Sequence, residues 1–134
     1  MRAVLDVNVL IAALLAPSGA PARLLMRWLA GDFELLISDH LLSELGRALK
    51  YPKLRARVSA TEAAALIDLL MVSAAMVPDP PRPPPRSRDA GDDYLVALAA
   101  GCSAVLVTGD RDILALGPDL PVYAPSKFLA RLDE

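Results

Sequence analysis

Arg2-Ala3-Val4-Leu5-Asp6-Val7-Asn8-Val9-Leu10-Ile11-Ala12-Ala13-Leu14-Leu15-Ala16 begins with an apolar run of strand length and passes through an aspartate. It continues as a stretch whose length and Leu/Ala content read as helix. Asp6 then stands at the carboxyl end of a buried strand, where open parallel sheets bind their ligands. The stretch also imitates a secretory signal, with Arg2 ahead of an apolar run. Asp6 and Asn8 inside that run, and a single preceding basic residue, argue against it.

The same strand-then-helix grammar continues along the chain. Pro17 to Pro21 breaks the first helix, and Arg23 to Ala30 resumes at helical spacing through Leu24, Leu25, Trp28 and Leu29 until Gly31 stops it. Phe33 to Ile37 is a second strand, and Ser38 caps a helix running to about Lys50, with Pro52 barring its continuation. Ser59-Ala-Thr-Glu62 has capping-box spacing, which predicts a helix from Ala60 to about Leu70 and a strand near 72–77. Residues 78–88 hold six prolines and three arginines and read as an extended surface loop within one domain. Then come a helix over 92–100 closed by Gly101, a strand over 104–107, a short helix over 112–116, a strand at Val122-Tyr123 and a helix over 126–132. This alternation predicts an α/β fold, a parallel sheet between helical layers with right-handed crossovers.

Length and composition set the bounds. At 134 residues the chain fits a single domain spanning 1–134, large enough for one core. Hydrophobic residues make up 54% and aromatics only 4%, so the interior is built chiefly from Ala, Leu and Val. The lone Cys102 rules out an internal disulfide, and no Cys/His spacing suggests zinc, so a cytoplasmic protein is expected. No apolar stretch approaches the roughly eighteen residues of a membrane span, and no membrane partner is expected. The formal net charge is −2, yet Arg47, Lys50, Lys53, Arg55 and Arg57 follow one another with no acid between them. Such a run is either a solvated helix end and loop or a candidate holder of a nucleic-acid backbone.

Four acids fall where this topology would gather them: Asp6 after the first strand, Glu44 in the helix capped by Ser38, Asp93 opening a later helix, and Asp110 past the strand at 104–107. A cleft carrying that much negative charge needs a cation, and a divalent ion held against a phosphodiester is the economical reason to build one. Asp93 shares a helix face with Val96, Ala97 and Ala100. Glu44 lies at the edge of the stripe formed by Leu41, Leu42, Leu45 and Leu49, where it can reach a cleft or turn to solvent.

Leu-Asp-Val-Asn-Val-Leu-Ile at 5–11, Ser-Asp-His-Leu-Leu-Ser-Glu-Leu at 38–45, Asp-Asp-Tyr-Leu-Val-Ala-Leu-Ala at 92–99 and Leu-Val-Thr-Gly-Asp-Arg-Asp-Ile-Leu at 106–114 together resemble the PIN domain family. The likeness extends over nearly the whole chain and is strongest to the branch that serves as toxins of bacterial toxin–antitoxin pairs. It implies a three-layer α/β/α sandwich around a parallel sheet and Mg²⁺- or Mn²⁺-dependent endoribonuclease cleavage of single-stranded RNA. By resemblance, Asp6, Glu44 and Asp93 are the metal-binding acids and Asp110 the fourth. Asn8 and Thr108 match polar positions that orient the first acid or a water. Asp92 is the alternative to Asp93, and Asp89 and Asp112 are spare acids. A cognate antitoxin and a homodimer or higher homo-oligomer are the implied partners, with N-terminal helices, including the one bearing Trp28, often making such contacts in the family.

Other α/β phosphoryl-transfer enzymes fit less well. A haloacid-dehalogenase-like phosphatase wants a second Asp where Asn8 stands. A receiver domain wants an acidic pair before the first strand end, and no Gly-rich phosphate loop follows that strand. A catalytically silent PIN-like module binding RNA or protein, or a housekeeping nuclease without an antitoxin, is the alternative reading. His40, the single histidine, is expected near a helix start rather than in catalysis.

Overall fold

A computed structural model describes residues 1–81, 90–116 and 120–134, with backbone only for 90–92. The strands are β1 (Arg2–Leu5), β2 (Glu34–Ile37), β3 (Ala75–Met76), β4 (Val105–Val107) and β5 (Val122–Tyr123). The helices are α1 (Val7–Leu15), α2 (Ala20–Leu29), α3 (Asp39–Ala48), α4 (Pro52–Arg55), α5 (Ala60–Ser73), α6 (Ala90–Gly101), α7 (Arg111–Leu114) and α8 (Pro125–Leu132). The strands form one five-stranded sheet in the order β3-β2-β1-β4-β5. Every pairing is parallel, with Ala3 opposite Leu35 on one side and Val105 on the other. The architecture is the three-layer α/β/α sandwich expected from the alternating elements.

A parallel sheet covered on both faces needs strands apolar on both faces. Ala3, Val4, Leu5, Leu35, Leu36, Ile37, Leu106 and Val107 are accordingly buried, and a contiguous core joins them to Leu10, Leu24, Leu45, Leu70, Leu98 and Phe128. The helix α6 packs on β1 and β4, α1 lies against α2 and α3, and α8 meets α2 and β5. Among the described residues no single helix is long and apolar enough to cross a membrane.

Local chemistry explains where the elements begin and end. Ser38 accepts from the Leu41 N–H as the cap of α3, and Ser59 and Glu62 form the reciprocal capping box that opens α5. The helix α2 begins at Ala20 rather than Arg23, because Pro21 occupies the first turn, where its missing N–H costs nothing. Pro52 likewise opens the one-turn α4, where the sequence had suggested only loop. The helix α5 runs on to Ser73, so β3 is only Ala75–Met76 instead of 72–77. The stop after α6 is also displaced. Ser103, at φ 51°, takes the left-handed position, and the Ala104 N–H reaches back to the Ala99 carbonyl, whereas Gly101 is still helical. Of the proline-rich loop expected at 78–88, residues 82–88 lie outside the described residues, as do Asp89 and the Asp92 side chain.

Candidate functional site

The chain leaves β1 toward β2 and β3 on one side and returns to β4 and β5 on the other. The carboxyl ends of β1 and β4 are therefore the switch point at which such sheets open a crevice. Asp6 and Thr108 are the first residues past these neighbouring ends. The Asp6 N–H donates to the Val107 carbonyl at 2.9 Å, extending the ladder by one step. Asp6 also caps α1: its carbonyl accepts from Val9 N–H at 2.9 Å, and its Oδ1 lies 3.4 Å from Asn8 N.

Thr108, fully buried, donates its hydroxyl to Asp6 Oδ2 at 2.8 Å and accepts the Asp110 N–H at 3.0 Å. Asp110 in turn caps α7, its Oδ1 accepting the Asp112 N–H at 2.8 Å. Asp6, Thr108, Asp110 and Asp112 are thus one connected polar chain at the switch point. Beside it a cleft is lined by Asn8, Ala12, Pro21, Gly109, Asp110 and Pro125.

Asp93 comes from a different element. A helix that precedes a parallel strand runs against it, so the start of α6 lies at the carboxyl end of the sheet. Asp93 is only 8% exposed, as is Asp6. The buried side of α6 is Asp93, Leu95, Val96, Leu98 and Ala99, while Ala100, expected on that face, is exposed. The helix is apolar nearly all round, so spacing alone does not single out one stripe.

Glu44 lies on the outer side of α3 with its side chain 47% exposed, and His40 Nε2 is 3.7 Å from its Oε2. His40 sits at the start of α3 as expected, its ring 4.3 Å from that of Tyr94. Arg47, Lys50, Lys53 and Arg55 are exposed and lead from one turn beyond Glu44 away from the carboxyl ends of the strands. Lys50 and Arg55 line a groove between α3 and α5. Trp28 is core, and Cys102 is half-buried.

Sequence reasoning missed a second polar cluster. Ser38 Oγ is 2.6 Å from Tyr94 Oη, Tyr94 donates to Asp79 Oδ1, and the His40 N–H donates to Asp79 Oδ2 at 3.3 Å. Burial works to raise the Asp79 pKa, but the bond from Tyr94, then the nearby Ser38 hydroxyl and the His40 N–H, outweigh it and hold Asp79 below the usual carboxylate range. Burial, and then the bond to Asp79, push the Tyr94 phenol well above its ordinary value. One cue was present in the sequence: a phenol in the first turns of a helix that packs on the sheet needs a polar partner.

The donor chemistry at the strand ends suits a hard cation. Asp6 and Asp93 offer carboxylate oxygens, the ligands that Mg²⁺ and Mn²⁺ prefer. Among the described residues no group of three or more His, Cys, Asp or Glu side chains is placed to hold a metal ion. Mg²⁺ does not require such a group, since it is commonly held by one or two carboxylates with water and substrate phosphate completing its shell.

Comparison with protein families matches residues 2–112 to the PIN domain. The uncharacterized protein MJ1680 of Methanocaldococcus jannaschii is 28% identical over 144 residues, spanning 100% of this chain and 93% of that one. The crystal structure of PAE2754 from Pyrobaculum aerophilum superposes with a TM-score of 0.69 at 20% identity, covering 99% of this chain and 90% of that one. VapBC2 from Rickettsia felis, solved bound to a DNA fragment from their promoter, gives 0.63 at 17% identity, covering 91% and 97%. At these identities the two structures speak for the fold.

Proposed function

The chain belongs to the PIN domain family, and from that premise we propose that it is a Mg²⁺- or Mn²⁺-dependent endoribonuclease acting on single-stranded RNA in the cytoplasm. PIN domains are in general nucleases. The observation that carries the reading is the buried Asp6 carboxylate, aimed by the Thr108 hydroxyl across the switch point of the sheet.

Asp6 and Asp93 are the principal cation holders in this reading, with Glu44 and Asp110 completing the acidic set. A divalent ion bound there supplies charge neutralisation at phosphorus and activation of water near neutral pH. Thr108 holds Asp6 Oδ2 and the Asn8 N–H holds Oδ1, which fixes the carboxylate while each oxygen keeps a lone pair for a cation. Asp110 and Asn8 border the cleft, where they can orient a water or a sugar–phosphate oxygen. Asp112 donates its N–H to Asp110 and steadies it. Arg47, Lys50, Lys53 and Arg55 are exposed and have no acid among them in sequence, as residues that hold an RNA backbone would.

A role as the toxin of a toxin–antitoxin pair rests on the motif resemblance, and the likeness to VapBC2 agrees with it. The corresponding partners are a cognate antitoxin and a second copy of the chain. The test is incubation of the purified protein with labelled single-stranded RNA in Mg²⁺, in Mn²⁺ and in EDTA. Internal cleavage in either metal and none in EDTA is expected. RNA binding that persists in EDTA without cleavage under any condition identifies the silent binding module instead.

A further inference from the structure

The polar cluster around Tyr94 lies beside Asp93 and plays no part in the mechanism above. Asp79, two residues past Val77, accepts from Tyr94 and from the His40 N–H, while the Val77 N–H donates to Ile37 at 2.8 Å and ties that segment to β2. An ionised carboxylate can only accept, so the single Tyr94 proton points to Asp79. The 2.6 Å contact between Ser38 Oγ and Tyr94 Oη then has Ser38 as donor, and Ser38 Oγ accepts the Leu41 N–H at 3.3 Å. Each donor and acceptor in the chain from Leu41 to Asp79 is matched. Ser38, itself fully buried, has no alternative partner in solvent.

This chain joins three elements. Ser38 follows β2, Asp79 follows β3, and Tyr94 belongs to α6, whose apolar side packs on β1 and β4. The helix is therefore held by its apolar face on one half of the sheet and by a phenol on the other, which together fix its rotation about its own axis. Side-chain ends stand about 5–6 Å from a helix axis, so turning α6 by ~10° would carry the Asp93 carboxylate about 1 Å. A metal ligand must be held to roughly 0.5 Å.

We propose that Tyr94 is a positioning residue: its hydroxyl, bridged between Ser38 and Asp79, sets the rotation of α6 that aims Asp93 at the divalent cation. The role rests on the metal-dependent reading of the Asp6 and Asp93 site. Tyr94→Phe keeps the ring on His40 and removes only the bridging hydroxyl.

The test measures Mn²⁺ affinity by electron paramagnetic resonance titration of the full chain, thermal stability without metal, and RNA cleavage across Mn²⁺ concentrations. Outer partners of metal ligands commonly contribute about 10–100-fold in metal affinity. Tyr94→Phe is accordingly expected to weaken Mn²⁺ binding by about that factor. Cleavage should fall at limiting Mn²⁺, recover in excess Mn²⁺, and show an unchanged KM for RNA. Asp79→Asn, on an exposed residue, should shift Mn²⁺ affinity in the same direction, and it carries the test if Tyr94→Phe does not fold. A folded variant with wild-type Mn²⁺ affinity overturns the positioning role while leaving the nuclease reading standing. Wild-type protein that takes up no Mn²⁺ overturns both.

Discussion

Thr108 donates its hydroxyl to Asp6 Oδ2 at 2.8 Å, joining residues 102 positions apart in sequence at the adjoining ends of β1 and β4. The contact is buried on both sides, so it orients the carboxylate as well as stabilising the fold. Thr108→Val keeps the shape and removes the donor. Hydrogen bonds to charged groups contribute about 1.5–3 kcal/mol. Urea denaturation should show a loss of that size, and metal-dependent cleavage should fall about 10–100-fold. Unchanged stability and cleavage would show that the bond neither orients nor stabilises Asp6.

Ser103 is the described residue other than glycine with a positive φ, and it closes α6 where glycine is usual. A left-handed conformation costs a side-chain-bearing residue roughly 1–2 kcal/mol, against about 0.5–1 kcal/mol for the added chain entropy of glycine. Ser103→Gly should therefore stabilise the protein by about 0.5–1 kcal/mol, read as a raised urea midpoint, with cleavage untouched. A lowered midpoint would mean that the serine side chain contributes more than its backbone strain costs.

Much of the architecture could be read directly from the residues. The apolar runs ending at Leu5, Ile37 and Val107 have strand length and firm boundaries, and Ser38, Ser59 and Glu62 mark helix starts by chemistry that depends only on near neighbours. Asp6 and Thr108 stood out because strand ends are where the sheet opens. The clamp around Tyr94 was not legible, because its partners are 15 and 56 residues away and share no periodicity with it. The exposure of Glu44 was equally hidden: a residue at the border of an apolar stripe turns in or out according to its tertiary neighbours.

Asp79 gives the clamp a defined response to acid. Its folded pKa lies below the ordinary carboxylate value of about 3.9, so its stabilisation is complete above that value and disappears as pH falls through the lower folded value. The stability difference between wild type and Asp79→Asn should be constant from neutral pH down to about pH 5 and should shrink below about pH 4. A difference that persists undiminished to the acid unfolding limit would place the stabilisation elsewhere.

The basic run offers a test independent of chemistry. Each phosphate neutralised on a single strand adds about 0.7 to the slope of log affinity against log salt. With Asp6→Asn as background to prevent cleavage, replacing Arg47 and Lys50 by Gln should lower that slope by about 0.7 for each phosphate left without its cation. An identical slope would identify the run as a solvated surface.

Asp6 and Asp93 as holders of the cation on which RNA cleavage depends are tested most directly by comparing cleavage of single-stranded RNA by wild type, Asp6→Asn and Asp93→Asn in Mg²⁺, with EDTA as control. Both amides keep the size of the side chain and lose its charge. Losing several kcal/mol of charge stabilisation corresponds to at least about a 100-fold drop in rate, with thermal unfolding still cooperative. Wild-type activity should disappear in EDTA. Equal cleavage by wild type and Asp6→Asn, or wild-type cleavage that survives EDTA, would contradict the account.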